Sequence, residues 1–171
     1  MKRTIALTTV LGLLAFSSAN AAEFNQENLY VGGGLSSNGL DVSGGSPDRA
    51  IGYQLFAGYD FDVEFVDDLK TIAEVGFMSS GDFKYDVTIF NTTTTVNAGS
   101  VSGLWATYVA DYAVNDKVNI LGRLGLDFGD DDGLMFGGGA GYMVNDQVSV
   151  RAEYVLRQNV DSLQVNVTYS F

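Results

Sequence analysis

The chain has 171 residues with no cysteine, no histidine, and 21 acidic against 9 basic side chains. Without cysteine there is no disulfide, no thiolate chemistry and no lipid-bearing N-terminal cysteine, and without histidine the commonest general base and metal ligand are missing. The acid excess excludes a nucleic-acid-binding protein, which needs a basic surface to meet phosphates.

Residues 1–21 read as a secretory signal. Lys2 and Arg3 form a basic start, Ile5 to Phe16 a short apolar run, and Ala19-Asn20-Ala21 places small residues where a signal peptidase needs them. Cleavage after Ala21 is expected. The apolar run is too short to span a bilayer as a helix, which takes about 20 residues. Residues 22–171 then form one domain. Its charge is strongly negative, because Lys2 and Arg3 leave with the signal while all 21 acids stay.

From residue 28 onward the dominant sequence period is two, the mark of strands with unlike faces. Residues 28–36 make the first strand. In 51–65 the apolar set is Ile51, Tyr53, Leu55, Ala57, Tyr59, Phe61, Val63 and Phe65, against Gln54, Asp60, Asp62 and Glu64. In 70–79, Ala73, Val75 and Phe77 are assigned outward and Glu74 inward, because a carboxylate facing lipid is costly. Residues 83–90 carry the alternation further and predict that the third and fourth strands protrude as a hairpin, with a tip at Asn91 to Thr95.

The later strands follow in turn. In 102–114, Leu104, Ala106, Tyr108, Ala110, Tyr112 and Val114 oppose Trp105, Thr107, Val109 and Asp111. In 118–128, Ile120, Leu124, Leu126 and Phe128 oppose Asn119, Arg123 and Asp127. Residues 133–144 set Leu134, Phe136, Ala140 and Tyr142 against small residues, among them Gly137, Gly139 and Gly141. Residues 148–157 set Val148, Val150, Ala152, Tyr154 and Leu156 against Ser149, Arg151, Glu153, Val155 and Arg157. The last strand, 162–171, alternates strictly: Leu163, Val165, Val167, Tyr169 and Phe171 against Ser162, Gln164, Asn166, Thr168 and Ser170.

Eight such segments, each near the 9–11 residues of a tilted membrane strand, predict a barrel. Short turns are expected at Val66-Asp67-Asp68, Val114-Asn115-Asp116-Lys117 and Val144-Asn145-Asp146-Gln147, where Asn and Asp tolerate left-handed backbone. Longer loops are expected on the other side, around 37–49, 80–100, 130–133 and 158–161. In a membrane barrel the short turns are periplasmic, which also places both termini there.

A soluble lipocalin-like barrel would show the same alternation inverted. Three features favour lipid outside. The strand charges Glu74, Asp111, Arg123, Asp127, Arg151, Glu153 and Arg157 all fall on the polar face and nearly balance, as a closed interior requires. Tyr30, Tyr59, Phe61, Tyr112, Tyr142, Tyr169 and Phe171 sort to the short-turn ends of the apolar faces, and Phe77, Phe128 and Phe136 to the other, forming two interfacial belts. Finally, Phe171 ends an amphipathic strand with Tyr169 third from last.

That last strand resembles the C-terminal strand of bacterial outer-membrane barrels, and the whole processed chain resembles the small barrel family of OmpX, Ail and the transmembrane domain of OmpA. The resemblance implies an all-β, eight-stranded antiparallel up-and-down transmembrane barrel in the outer membrane. It also implies that Tyr169 and Phe171 are read by the barrel-insertion machinery. The very short segment Asp130 to Gly133 departs from the long adhesive loops of that family.

No catalytic site, cofactor or metal site is expected. Asp127-Phe128-Gly129-Asp130-Asp131-Asp132-Gly133 fails the calcium-loop template, with Phe128 where an acid is needed and no Glu at the required distance. Enzymes built on small outer-membrane barrels resemble one another in using a histidine, which this chain lacks. The expected role is structural or surface-interacting, with outer-membrane lipid and lipopolysaccharide as surroundings and a surface partner at residues 80–100. An eight-stranded lumen is just filled by side chains. The alternative is a narrow channel for small or apolar solutes, with Gly137, Gly139 and Gly141 leaving space.

Overall fold

The computed structural model describes residues 25–41, 47–61 and 68–171. The signal segment 1–21, with Ala19 and Ala21, lies outside the described residues, as do the predicted turn Val66-Asp67 and the expected strand positions 62–65. A short 3-10 turn (Gln26–Asn28) leads into β1 (Leu29–Leu40), β2 (Ala50–Asp60), β3 (Leu69–Ile89), β4 (Thr92–Ala113), β5 (Val118–Gly129), β6 (Gly133–Met143), β7 (Val148–Leu156) and β8 (Val160–Ser170). Each strand pairs antiparallel with the next, and β8 pairs with β1 from Tyr30↔Ser170 to Leu40↔Val160, closing the barrel. Closure leaves no edge in the membrane-spanning part, so every backbone polar group there finds a ladder partner.

The pleat turns the sequence alternation into two surfaces. Leu35, Ile51, Leu55, Leu104, Ile120, Leu124, Leu134, Leu163 and Val165 stand more than half exposed on the outside. Glu74, Arg123, Asp127, Arg151, Glu153, Arg157, Gln164 and Asn166 are buried inside. Glu74 faces inward and Phe77 outward, so the cost of a lipid-facing carboxylate does fix the register of β3. At the short-turn end, Tyr59 and Phe61 meet at 5.5 Å between ring centroids, Phe61 stacks on Tyr108 at 6.0 Å, and Tyr169 meets Phe171 at 5.6 Å.

Several expectations are corrected. Tyr30 does not belong to the outer belt. It is buried inside because Gly58, opposite it on β2, leaves room for its ring and Glu74 accepts from its hydroxyl. β2 is described from Ala50 to Asp60 and β3 from Leu69, and what joins them lies mostly outside the described residues. On the hairpin side, β5 and β6 are joined by 130–132 and β7 and β8 by 157–159, which are as short as the turns 114–117 and 144–147 at the other end and not the longer loops expected there.

What separates the two ends of the barrel is strand extension. β3 and β4 stay paired beyond the rim, from Asp82↔Ser100 to Ile89↔Thr92. The tip is Phe90-Asn91 rather than Asn91 to Thr95, with φ of 46° and 64° at the two residues. Two left-handed residues make the turn that matches strand twist in a tight hairpin. Register shifts lie between Ser79 and Asp82 and between Phe83 and Lys84, beside the left-handed glycines Gly81 and Gly99. Such bulges bend a strand where it leaves a barrel. Asp48 braces the root by donating its backbone N–H to the Lys84 carbonyl at 2.8 Å.

Candidate functional site

Five inward side chains from four strands meet at the centre of the barrel. Glu74 of β3 accepts from Arg123 Nη2 of β5 at 3.1 Å and from Arg151 Nη1 of β7 at 2.6 Å. Arg123 Nη2 also stands 2.5 Å from Glu153 Oε2. Tyr30 Oη donates to Glu74 Oε1 at 2.5 Å. Two guanidinium and two carboxylate charges therefore neutralise one another inside the barrel, the condition under which buried charge is tolerated. The Arg123 guanidinium lies 5.5 Å from the centre of the Trp105 ring, and that of Arg151 lies 5.0 Å from the Tyr30 ring.

The other charged residues are placed apart from this group. Arg157 Nε donates to Asp127 at 2.8 Å, and Arg157 Nη1 donates to Ser162, whose hydroxyl donates to Asn38. This forms a second polar layer nearer the hairpin end. Between the layers, Gln54 donates to Asn166 at 2.7 Å and to Gln164, and Asn166 donates to Glu153 at 3.0 Å. Asp111 joins neither layer. It accepts from Asn119 at 2.6 and 2.7 Å and lines a cavity of about 350 Å³ at the short-turn mouth.

An apolar cluster shares the interior with these charges: Phe56, Ile72, Met78, Trp105, Val109, Leu121, Met135 and Val155, together with Tyr30. Most of it lay hidden in the sequence, because an apolar residue on the inward face merely weakens the alternation. Met135 in particular falls where only small residues were expected. A Cβ added at Gly137 would meet the Tyr154 carbonyl and Val155, one at Gly139 the Ala152 carbonyl and Glu153, and one at Gly141 the Asn119 side chain.

At the hairpin end a separate apolar cluster caps the lumen: Phe83 with Ala50 and Val160, packed on Leu40 and Val101. Phe83 is fully buried although it stands in the segment that carries the hairpin outward. The bulges on either side of it turn its ring back over the barrel.

The rim is acidic. Asp41, Asp48, Asp82, Asp86, Asp130, Asp131, Asp132 and Asp161 stand against Arg49 and Lys84. Arg49 is committed to a clasp, donating to Asp161 at 2.7 Å and to Ser37. The three consecutive aspartates are committed as well. Asp130 accepts from Ser102, Asp131 from Asn159 and the Val160 amide, and Asp132 from the Gly129 amide. They are loop caps, which explains their presence without a cation.

Tyr169 and Phe171 lie at the outer surface of the short-turn end, half exposed. The Phe171 amide donates to the Leu29 carbonyl at 3.3 Å and so ties the C-terminus to the start of β1.

Comparison with known proteins gives the same architecture. A family model described as the outer membrane protein beta-barrel domain matches residues 8–171. No curated protein matches the chain. Among solved structures, it is similar to Ail, the attachment invasion locus protein of Yersinia pestis, in complex with the heparin analogue sucrose octasulfate. That likeness has 17% identity, 84% of this chain and 97% of Ail covered, and a TM-score of 0.57. Neisserial surface protein A is similar at 18% identity, with 84% and 97% covered and a TM-score of 0.53. A de novo designed transmembrane β-barrel is similar at 16% identity, with 87% and 99% covered and a TM-score of 0.57. At these identities the likenesses show the fold alone.

Proposed function

The chain belongs to the outer membrane protein beta-barrel domain family, and from that premise we propose that it is a non-catalytic surface-interaction protein whose working part is the β3–β4 hairpin. It resides in the bacterial outer membrane, surrounded by lipid and lipopolysaccharide, with the short turns toward the periplasm and the hairpin outside.

The observation that carries this reading is the hairpin's free edge. The β4 ladder with β5 begins at Gly103, so Thr92–Val101 has no described partner on that side. Soluble and membrane proteins alike guard exposed edges with charge or proline. Residues 92–101 contain neither. An unguarded edge of this length supports pairing with an extended, uncharged segment of a partner protein. A polyanion of the kind bound to Ail in its complex would meet the acidic rim, so that ligand class is not carried over.

The alternative of a narrow channel is less well supported. The paired charges, the apolar cluster and the Phe83 cap all occupy the lumen, which favours a filled interior. Tyr169 and Phe171 are proposed as the signal read by the barrel-insertion machinery.

Replacing residues 84–97 by a tight turn tests the surface role. Cells displaying the shortened protein should still show a heat-modifiable, surface-exposed barrel, yet lose attachment to host-cell and matrix surfaces. Unchanged attachment would overturn the reading. Planar-bilayer recording of the intact protein should be silent, and steady conductance would favour the channel.

A further inference from the structure

We infer that the periplasmic half of the lumen is a hydrated well: ordered water runs from the mouth cavity past Arg151 to Arg123 and Trp105 and stops there. The cavity at the short-turn mouth ends on Tyr30, Ile72 and Arg151. Arg151 Nε, Arg123 Nε and Nη1, Trp105 Nε1 and Thr107 Oγ1 are buried without a protein hydrogen-bond partner, as is one acceptor, Glu153 Oε2, which has the charge of Arg123 Nη2 beside it at 2.5 Å. Buried N–H groups in folded proteins are satisfied by protein or by ordered water.

The chemistry of these groups selects the occupant. Most are donors, so the missing partners are acceptors, which rules out a cation. The charges around them already balance, two arginines against Glu74 and Glu153, so a neutral acceptor is required rather than an anion. Water accepts two hydrogen bonds and donates two, which suits donors flanked by carboxylates.

The same logic places the closed end. Asn38, Asp127, Arg157 and Ser162 have no such orphaned atoms among the described residues and bond to one another. Phe83, Ala50 and Val160 above them offer water nothing to bond. The well is therefore open to the periplasm and sealed toward the outside, whatever the hairpin contacts.

The chain's single tryptophan and lack of cysteine make this directly testable. In nanodiscs, the one indole N–H resonance, that of Trp105, should give a cross-peak with water and exchange in D2O well before the mid-strand amides of β7 and β8. Against the cysteine-free background, Ser149→Cys at the cavity wall should react with a small thiol reagent at least about tenfold faster than Ser162→Cys in the sealed layer beneath Phe83. An indole N–H with no water contact and the protection of the strand amides would overturn the well. Equal reactivity of the two cysteines would overturn its closed end.

Discussion

Tyr30 donates its hydroxyl to Glu74 at 2.5 Å although the two stand on β1 and β3, which share no ladder. The bond passes over β2 at Gly58, where any side chain would collide with the Tyr30 ring. Tyr30→Phe should therefore lower the unfolding free energy by about 1–3 kcal/mol, the range for a buried hydrogen bond to a charged group. Gly58→Ala should destabilise as well, and pairing it with a smaller residue at 30 should recover part of the loss. Urea unfolding from lipid vesicles, followed by gel shift, measures both.

Among the described residues Glu74 is the only carboxylate that touches both Arg123 and Arg151. Glu74→Ala leaves two buried guanidinium groups short of counter-charge, and removing one partner of a buried pair costs about 3–5 kcal/mol. The variant should unfold at markedly lower urea than Tyr30→Phe. Equal midpoints for the two would contradict the shared role of Glu74.

Asp131 holds the β7–β8 loop through the Asn159 amide at 3.0 Å, the Asn159 side chain at 2.7 Å and the Val160 amide at 3.1 Å. Asp131→Ala should speed proteolysis at 157–159 and cost about 1–3 kcal/mol. Because the neighbouring acids are also engaged as caps, adding a chelator should leave the thermal unfolding of the wild-type barrel unchanged.

Phe90 adopts a φ of 46° at the hairpin apex with its ring 99% exposed. A bulky residue in the left-handed region costs about 1–2 kcal/mol, and nothing in the fold offsets it. Phe90→Asn should stabilise the hairpin and slow amide exchange at Thr88 and Thr93. It should at the same time weaken attachment if the ring anchors a partner.

Deleting Phe171 should leave refolding into detergent nearly intact, since one exposed side chain and one 3.3 Å hydrogen bond are lost. Assembly in cells should fall sharply. A band-shift assay on purified protein beside outer-membrane fractions separates the two effects.

The strands were legible wherever one face was uniformly apolar, as in β8, where every second residue from Leu163 to Phe171 is large and oily. β1 was harder. Gly32, Gly33 and Gly34 read equally on either face, so Tyr30 had no neighbour to set its side, and only its partner Gly58 on another strand decides it. The inward charges announced themselves through the cost of facing lipid, but which of them meet did not. Arg157 with Asp127 and Arg151 with Glu74 are pairings set by barrel stagger, which no single strand encodes. In the sequence Phe83 falls within the hairpin's alternation; its return over the lumen depends on the bulges around it.

The hairpin also sets a stand-off distance. Its six paired positions beyond the second bulge, Lys84 to Ile89, rise by about 3.3 Å each, which gives the hairpin a length of roughly 20 Å past its root. The Debye length under physiological salt is about 8 Å. Residues 87–101 bear no charge, and the acid nearest the apex, Asp86 on the hairpin itself, stands four residues from Phe90, about 13 Å or between one and two screening lengths away. On the proposed surface role, the uncharged apex would meet an anionic surface with less repulsion than the mouth of the barrel.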